Sequence, residues 1–212
     1  MFDIAYKGGN GVVITTKKST VVIDPKLSVV GLKDYAVKDA IELATEPRFA
    51  LNSPDAQLSI EGPGDYEVGD FSIHGVSAVR HIDTDKDEKI ATIYRLEVGD
   101  VRIALLGNIA PGLSEDQLEG LGVVDIVILP VGGGGLTLDA TSAASLARQI
   151  DAKVVVPTHY AGEGLAYEMP QDALDLFAKE LGSPVEAVGT RYKVKGAASL
   201  APTLTIVEIA RS

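Results

Sequence analysis

The sequence has no cysteine and only three histidines among its 212 residues. The lack of cysteine excludes disulfides, thiolate nucleophiles and every cysteine-based zinc or iron–sulfur site. The histidines are His74, His81 and His159. A catalytic metal centre made of imidazoles therefore has very few nitrogen donors to draw on.

Positive charge is also scarce, because 19 Lys and Arg stand against 30 Asp and Glu and the formal net charge is −11. Such a chain is repelled by phosphates and anionic lipid, so neither nucleic acid nor a membrane is expected as a partner. No apolar run reaches about 18 residues, and the first residues lack the basic and apolar regions of a signal peptide. We expect a soluble cytoplasmic protein whose partner is an unidentified small molecule or protein.

Hydrophobic residues make up 46% of the chain, and a chain of this size buries about 70% of its unfolded surface. We find no repeat, low-complexity tract or linker, so residues 1–212 are expected to form a single domain. The first half is rich in apolar runs typical of strands, with a hairpin turn at Val98-Gly99-Asp100. The predicted strands here are residues 2–6, 11–16, 19–24, 57–60, 71–79, 90–97 and 101–106.

The second half alternates strands and helices, which is typical of an α/β fold. Ser114 and Gln117 form a capping box for a short helix that ends at Gly120 or Gly122. Apolar runs predict strands at residues 124–129, 153–156, 190–195 and 203–209.

Two longer helices are predicted in this half. One runs from about residue 139 to residue 150 and is capped by Asp139 or Thr141. The other covers residues 170–181, with Pro170 at its first position and Gly182 at its end. The expected architecture is one of mixed sheets covered by helices on their outer faces.

Three polar residues directly follow apolar strands: His81, Asn108 and His159. Loops leaving strand ends gather ligands and catalytic groups, so we expect these side chains to share one crevice. The alternative is that each only satisfies a neighbouring backbone group.

Other motifs are weaker. His74 alternates with Phe71 and Ile73, so it is expected on the polar face of its strand. Residues 83–88 resemble a calcium loop but lack the required glycine and glutamate, which favours a solvated acidic turn.

The run Gly132-Gly133-Gly134-Gly135 lies where a phosphate-binding loop could lie. No Gly-Lys-Ser/Thr follows it, so a tight turn is the preferred interpretation. No Gly-x-Ser-x-Gly motif supports serine hydrolysis.

Taken in order, five segments resemble the short metallo-β-lactamase-fold hydrolases over nearly the whole chain. They are residues 21–25, 62–68, 106–108, 125–133 and 157–160, followed by Tyr167-Glu168-Met169-Pro170-Gln171-Asp172. The resemblance implies an αβ/βα sandwich: two mixed sheets packed face to face with helices on the outer faces. It also implies a site for zinc, iron or manganese at the sheet edge, where metal-bound hydroxide hydrolyses an ester, amide or phosphodiester.

The metal ligands implied by the resemblance are mostly missing. The family's H-x-H-x-D-H motif falls on residues 45–50, Thr-Glu-Pro-Arg-Phe-Ala, and none of its four ligands is present. The family's metal site also contains a histidine of its third motif, an aspartate that bridges two metal ions and a final histidine. The resemblance aligns these three ligands with His81, Asn108 and His159, respectively. Because an amide cannot supply the negative charge that holds two cations together, a dinuclear centre is excluded. We expect residues 45–50 to fill the crevice with Arg48 or Phe49 instead.

Two principal functions remain open, together with a weaker third. The preferred hypothesis is a non-catalytic pseudo-hydrolase with no metal cofactor, whose crevice is remodelled around His81, Asn108, His159 and Arg48. The alternative is an active hydrolase with a mononuclear zinc, manganese or iron site at His81, His159 and Glu46. A phosphate-binding module at Gly132–Gly135 is the third.

Overall fold

The computed structural model describes residues 1–81 and 91–212. The strands are β1 Phe2–Gly8, β2 Gly11–Thr15, β3 Thr20–Ile23, β4 Ile41–Leu43, β5 Leu58–Ile60, β6 Gly64–Val68, β7 Phe71–Ala78, β8 Ala91–Val98, β9 Val101–Leu105, β10 Ile126–Pro130, β11 Val154–Thr158, β12 Val185–Val188, β13 Tyr192–Val194 and β14 Thr205–Ile209. The α-helices are α1 Glu115–Leu121, α2 Ala140–Ile150 and α3 Leu174–Leu181.

These strands form two mixed sheets. One has six strands in the order β13-β1-β2-β3-β4-β5, and the other has eight in the order β12-β14-β11-β10-β9-β8-β7-β6. Strands β9, β10 and β11 are parallel neighbours, so their carboxyl ends lie at the same edge. The chain therefore has the two-sheet α/β sandwich that the sequence predicts.

The main core lies between the sheets. Strand β1 alternates buried and half-buried residues, as expected for a strand with one face on the core. Its inward residue Ile4 belongs to the same buried cluster as Leu96 and Ile128 of the other sheet. A second cluster joins the outer face of the eight-stranded sheet to the helices through Leu121, Leu146 and Phe177. None of the helices among the described residues is long and apolar enough to cross a membrane.

Several local predictions are confirmed. The Ser114 hydroxyl accepts from Gln117 N, and the Gln117 side chain accepts from Ser114 N, completing the capping box of α1. Asp139 caps α2 by accepting from Ser142 N. Val98 pairs with Val101 across the predicted hairpin. Gly182 ends α3 with a φ of 68°, a value that suits glycine.

The predicted start of the last helix is wrong, because α3 begins at Leu174 and not at Pro170. Residues 170–173 are held out of the helix by tertiary hydrogen bonds. Asp172 N donates to Gly132 O, and its carbonyl accepts from Ala161 N. The sequence prediction also omitted β4, β6 and β12.

The Gly132–Gly135 run forms a tight turn against the segment that follows β11. A Cβ atom at Gly132 would lie 2.2 Å from the carbonyl oxygen of His159. Gly133, Gly134 and Gly135 all have φ between 65° and 75°, which strains any residue with a side chain. Gly133 N donates to Leu138 O, so this amide is already used within the turn.

We predict that Gly132→Ala destabilises the fold by about 1–3 kcal/mol, because the new methyl group overlaps a backbone atom that cannot move freely. Urea unfolding followed by circular dichroism measures the free energy of unfolding. Gly62→Ala is the matched control, since a Cβ there meets nothing within 4 Å, and its effect is expected to stay within about 0.5 kcal/mol. Equal effects of the two substitutions would contradict the prediction.

Candidate functional site

The candidate site lies where the carboxyl ends of β9 and β11 meet the turn between β1 and β2. Asn108 follows β9 and His159 directly follows β11. His159 has a φ of 49°, and its backbone N–H donates to Gly9 O at 2.8 Å. This hydrogen bond connects the two sheets at the edge of the sandwich.

A buried amide network joins these elements. Asn10 Nδ2 donates to Asn108 Oδ1 at 2.8 Å, and the Thr158 hydroxyl donates to Asn10 Oδ1 at 3.3 Å. The backbone N–H of His81 donates to Asn108 O at 2.8 Å. His81 and Asn108 are thus directly linked, and His159 is the next residue after Thr158. Asn10 was missed from the sequence because it lies in a glycine-rich turn.

The segment at residues 45–50 begins with a buried anchor. Thr45 donates to Asp24 through both its backbone N–H and its hydroxyl, each at 2.7 Å. Asp24 is 1% exposed and has a φ of 48°. Burial raises the pKa of the Asp24 carboxyl to about 7, although the two Thr45 hydrogen bonds oppose this shift.

The next residue, Glu46, places a carboxylate between two guanidinium groups. Its side chain is 1% exposed, and its Oε2 lies 3.3 Å from Arg48 Nε and 3.9 Å from Arg80 Nε. Arg48 also approaches Glu168, with 3.7 Å between Nη1 and Oε1. The guanidinium carbon of Arg48 lies 4.7 Å from the centre of the Phe49 ring. Charge in this part of the site is therefore balanced by side chains of the chain itself.

Arg48, Phe49 and His159 line one pocket, closed on another side by Tyr167 and Glu168. Its cavity volume is about 10 Å³, room for about one water molecule and far below the volume of a ligand site. The Tyr167 ring centre is 4.6 Å from that of His159. Residues 45–50 thus occupy space beside His159 with a cation and an aromatic ring.

Hydrogen bonds determine which ring nitrogen of His159 carries the proton. Gln171 Nε2 donates to Met169 O and Pro170 O, so Gln171 Oε1 faces His159 Nδ1 at 3.0 Å as an acceptor. Nδ1 must then carry the proton, and Nε2 of the neutral ring is an acceptor. Burial lowers the pKa of His159 to about 4, and the nearby Arg48 lowers it further.

Other predicted positions lie elsewhere or outside the described residues. His74 is on β7, where its Nδ1 contacts Asp65 Oδ1 of β6, so it does not join the candidate site. The calcium-like segment at residues 83–88 lies outside the described residues. Hydrogen bonds from Ser142 lower the pKa of the Asp139 carboxyl, and the electrostatic effect of His81 lowers it further.

The donors at this edge do not suit the metal that the fold family implies. Within residues 1–81 and 91–212, no three His, Asp or Glu side chains are grouped to hold a metal ion. Asn108 is neutral, and the carboxylate of Glu46 already faces Arg48 and Arg80. A dication here would meet two fixed positive charges and no anionic bridge.

This fold and its sheet-edge site place the chain among the metallo-β-lactamase-fold, hydrolase-like proteins. Residues 3–159 match the family described as beta-lactamase superfamily domain, and the chain belongs to that family. No curated protein matches the chain.

Solved structures share the fold. A proposed Zn-dependent hydrolase of the metallo-β-lactamase superfamily from Thermotoga maritima is 22% identical with a TM-score of 0.78, covering 99% of this chain and 100% of that one. Igni18, a metallo hydrolase from Ignicoccus hospitalis, is 17% identical with a TM-score of 0.61 and coverages of 99% and 95%. A proposed metal-dependent hydrolase from Parabacteroides distasonis is 16% identical with a TM-score of 0.64 and coverages of 99% and 94%.

The raised pKa of Asp24 predicts a specific pH dependence of stability. The pKa of this carboxyl is 3.8 in the unfolded chain and about 7 in the folded protein. Between these pH values the folded state binds more protons, so the free energy of unfolding falls as pH rises. Asp24→Asn removes this loss, since the amide can still bond Thr45. Its free energy of unfolding relative to the parent is expected to increase from about pH 4 to about pH 8 in urea titrations.

Asp151→Asn is the matched control for this experiment, because Asp151 also has a positive φ, of 57°, but is exposed. Its effect on the free energy of unfolding is expected to stay within about 0.5 kcal/mol. A difference for Asp24→Asn that does not change with pH would refute the assigned shift.

The tautomer of His159 is a second prediction. We expect ¹⁵N NMR at pH 6 to show a neutral ring protonated at Nδ1, because burial disfavours the cation and Gln171 accepts from Nδ1. Gln171→Leu is expected to reduce the Nδ1–H population. An imidazolium at pH 6 would contradict the neutral ring. An unchanged tautomer in Gln171→Leu would show that Gln171 does not set the tautomer.

Proposed function

We propose that this chain is a non-catalytic pseudo-hydrolase of its family, whose former active-site crevice is remodelled around internal ion pairs. The observation that carries this proposal is the position of Glu46 beside Arg48 and Arg80. By the resemblance, residues 45–50 stand where the family has four metal ligands. Here the same segment supplies a buried carboxylate and one of the cations that neutralise it.

Electrostatics supports the proposal. A metal-bound hydroxide needs a tightly held dication and an orienting carboxylate. Arg48 lines the pocket beside His159 and lowers its pKa, so a positive charge already acts on that imidazole. Because like charges repel, binding a dication there carries an additional cost.

Two of the polar side chains that remain also bond to neighbouring side chains. Asn108 Oδ1 accepts from Asn10, and His159 Nδ1 donates to Gln171. The alternative mononuclear site at His81, His159 and Glu46 requires the Glu46 carboxylate to leave its guanidinium partners. That rearrangement would cost Arg48 and Arg80 their contacts with this buried carboxylate.

We predict that protein purified without chelator carries well below one equivalent of zinc, manganese or iron by elemental analysis. Its melting temperature is expected to be unchanged by EDTA, because no metal contributes to folding. Added zinc or manganese should give no hydrolysis of ester, phosphodiester or lactam substrates. Asn108→Asp should not restore activity, since the residues at 45–50 still lack ligands.

His159→Ala and His74→Ala form the decisive pair. About one tightly held metal per chain, lost together with a measurable hydrolytic rate in His159→Ala but retained in His74→Ala, would establish the mononuclear hydrolase and overturn the proposal. Neither substitution is expected to change the metal content if the crevice is remodelled as proposed.

A further inference from the structure

A cleft beside β1 combines positive charge with apolar surface. It is lined by Lys7, Lys33 and Arg211 together with Leu27, Leu32, Tyr35 and Ser212. Its cavity volume is about 370 Å³. A neighbouring depression shares Lys7 and Tyr35 with the cleft and adds Arg191, which is ion-paired with Asp3 at 3.8 Å.

The cations of the cleft are not neutralised by carboxylates. In the described part of the chain, no Asp or Glu oxygen lies within 4.0 Å of the charged nitrogens of Lys7, Lys33 or Arg211. This is notable in a chain of net charge −11. Three cations on one concave surface create a local positive potential.

Two of these cations are held in place by uncharged partners. Lys7 Nζ donates to the Ser212 hydroxyl at 2.8 Å and lies 4.6 Å from the centre of the Tyr35 ring. Arg211 donates to the carbonyl oxygen of Glu163. These contacts order both side chains without cancelling their charge, which lowers the entropic cost of binding an anion.

We propose that this cleft binds a soluble phosphate monoester that carries an apolar group. A phosphate monoester has a charge of about −1.5 to −2 at neutral pH, which suits several converging cations. Ammonium and guanidinium groups both make charge-assisted hydrogen bonds to its oxygens. Leu27, Leu32 and the Tyr35 ring supply a surface for the apolar group. The site is built from residues other than those of the remodelled crevice and does not depend on its function.

Isothermal titration calorimetry with phenyl phosphate tests the proposal. Phenyl phosphate is expected to bind, inorganic phosphate to bind more weakly and phenol not to bind. Lys7→Gln, Lys33→Gln and Arg211→Gln are each expected to raise the Kd about tenfold, since each removes a charged contact. The matched control is the double variant Lys17→Gln/Lys18→Gln in the turn between β2 and β3, which should bind like the parent.

Circular dichroism establishes that each variant retains the parent fold. Absence of binding at about 10 mM phenyl phosphate would overturn the proposal, as would equal weakening in the control variant. Vesicles containing phosphatidic acid distinguish a lipid headgroup from a soluble ester. We expect no co-sedimentation, and vesicle binding that depends on Lys7 and Arg211 would overturn the assignment to a soluble ligand.

Discussion

The burial of Glu46 is the constraint on which the candidate site depends. A carboxylate that is 1% exposed requires nearby positive charge. Arg48 reaches it from the segment after β4, in the six-stranded sheet, and Arg80 from the segment after β7, in the eight-stranded sheet. The contact between Glu46 and Arg80 therefore joins the two sheets at this edge, and removing either cation would take one positive partner from the buried carboxylate.

Three other polar side chains of this edge form neutral hydrogen bonds. Asn10, Asn108 and Thr158 bond to one another without any formal charge. Burial keeps the His159 ring neutral over most of the pH range. The edge therefore combines one compensated ionic group with a neutral network, an arrangement that favours a fixed structure over the binding of a further cation.

The sequence predicts most of the fold because its signals are local. Capping at Ser114 and Asp139 and the turn at Gly99 depend on neighbours within a few residues. Pro170 shows the limit of such local signals. The two residues after it, Gln171 and Asp172, bond to His159 and Gly132, and these contacts keep the helix from starting at Pro170.

Strand β4 was missed for a related reason. It has only three residues and includes Glu42, which is buried and accepts from Ser53 N. Asn10 could not be identified either, because its partner Asn108 is 98 positions away. Such contacts become visible only when the two sheets are packed together. The strand-end pattern did single out His81 and Asn108, and the backbone N–H of His81 donates to Asn108 O. That their side chains share one crevice with His159 stays a prediction.

The order of strands in the eight-stranded sheet has a consequence for synthesis on the ribosome. Strand β12 precedes β14 in the chain, yet β14 lies between β11 and β12 in the sheet. Residues 185–188 emerge first but cannot take their ladder position until residues 205–209 have also left the exit tunnel. The apolar edge of β11 stays unpaired until then, so it can associate with other chains at this stage.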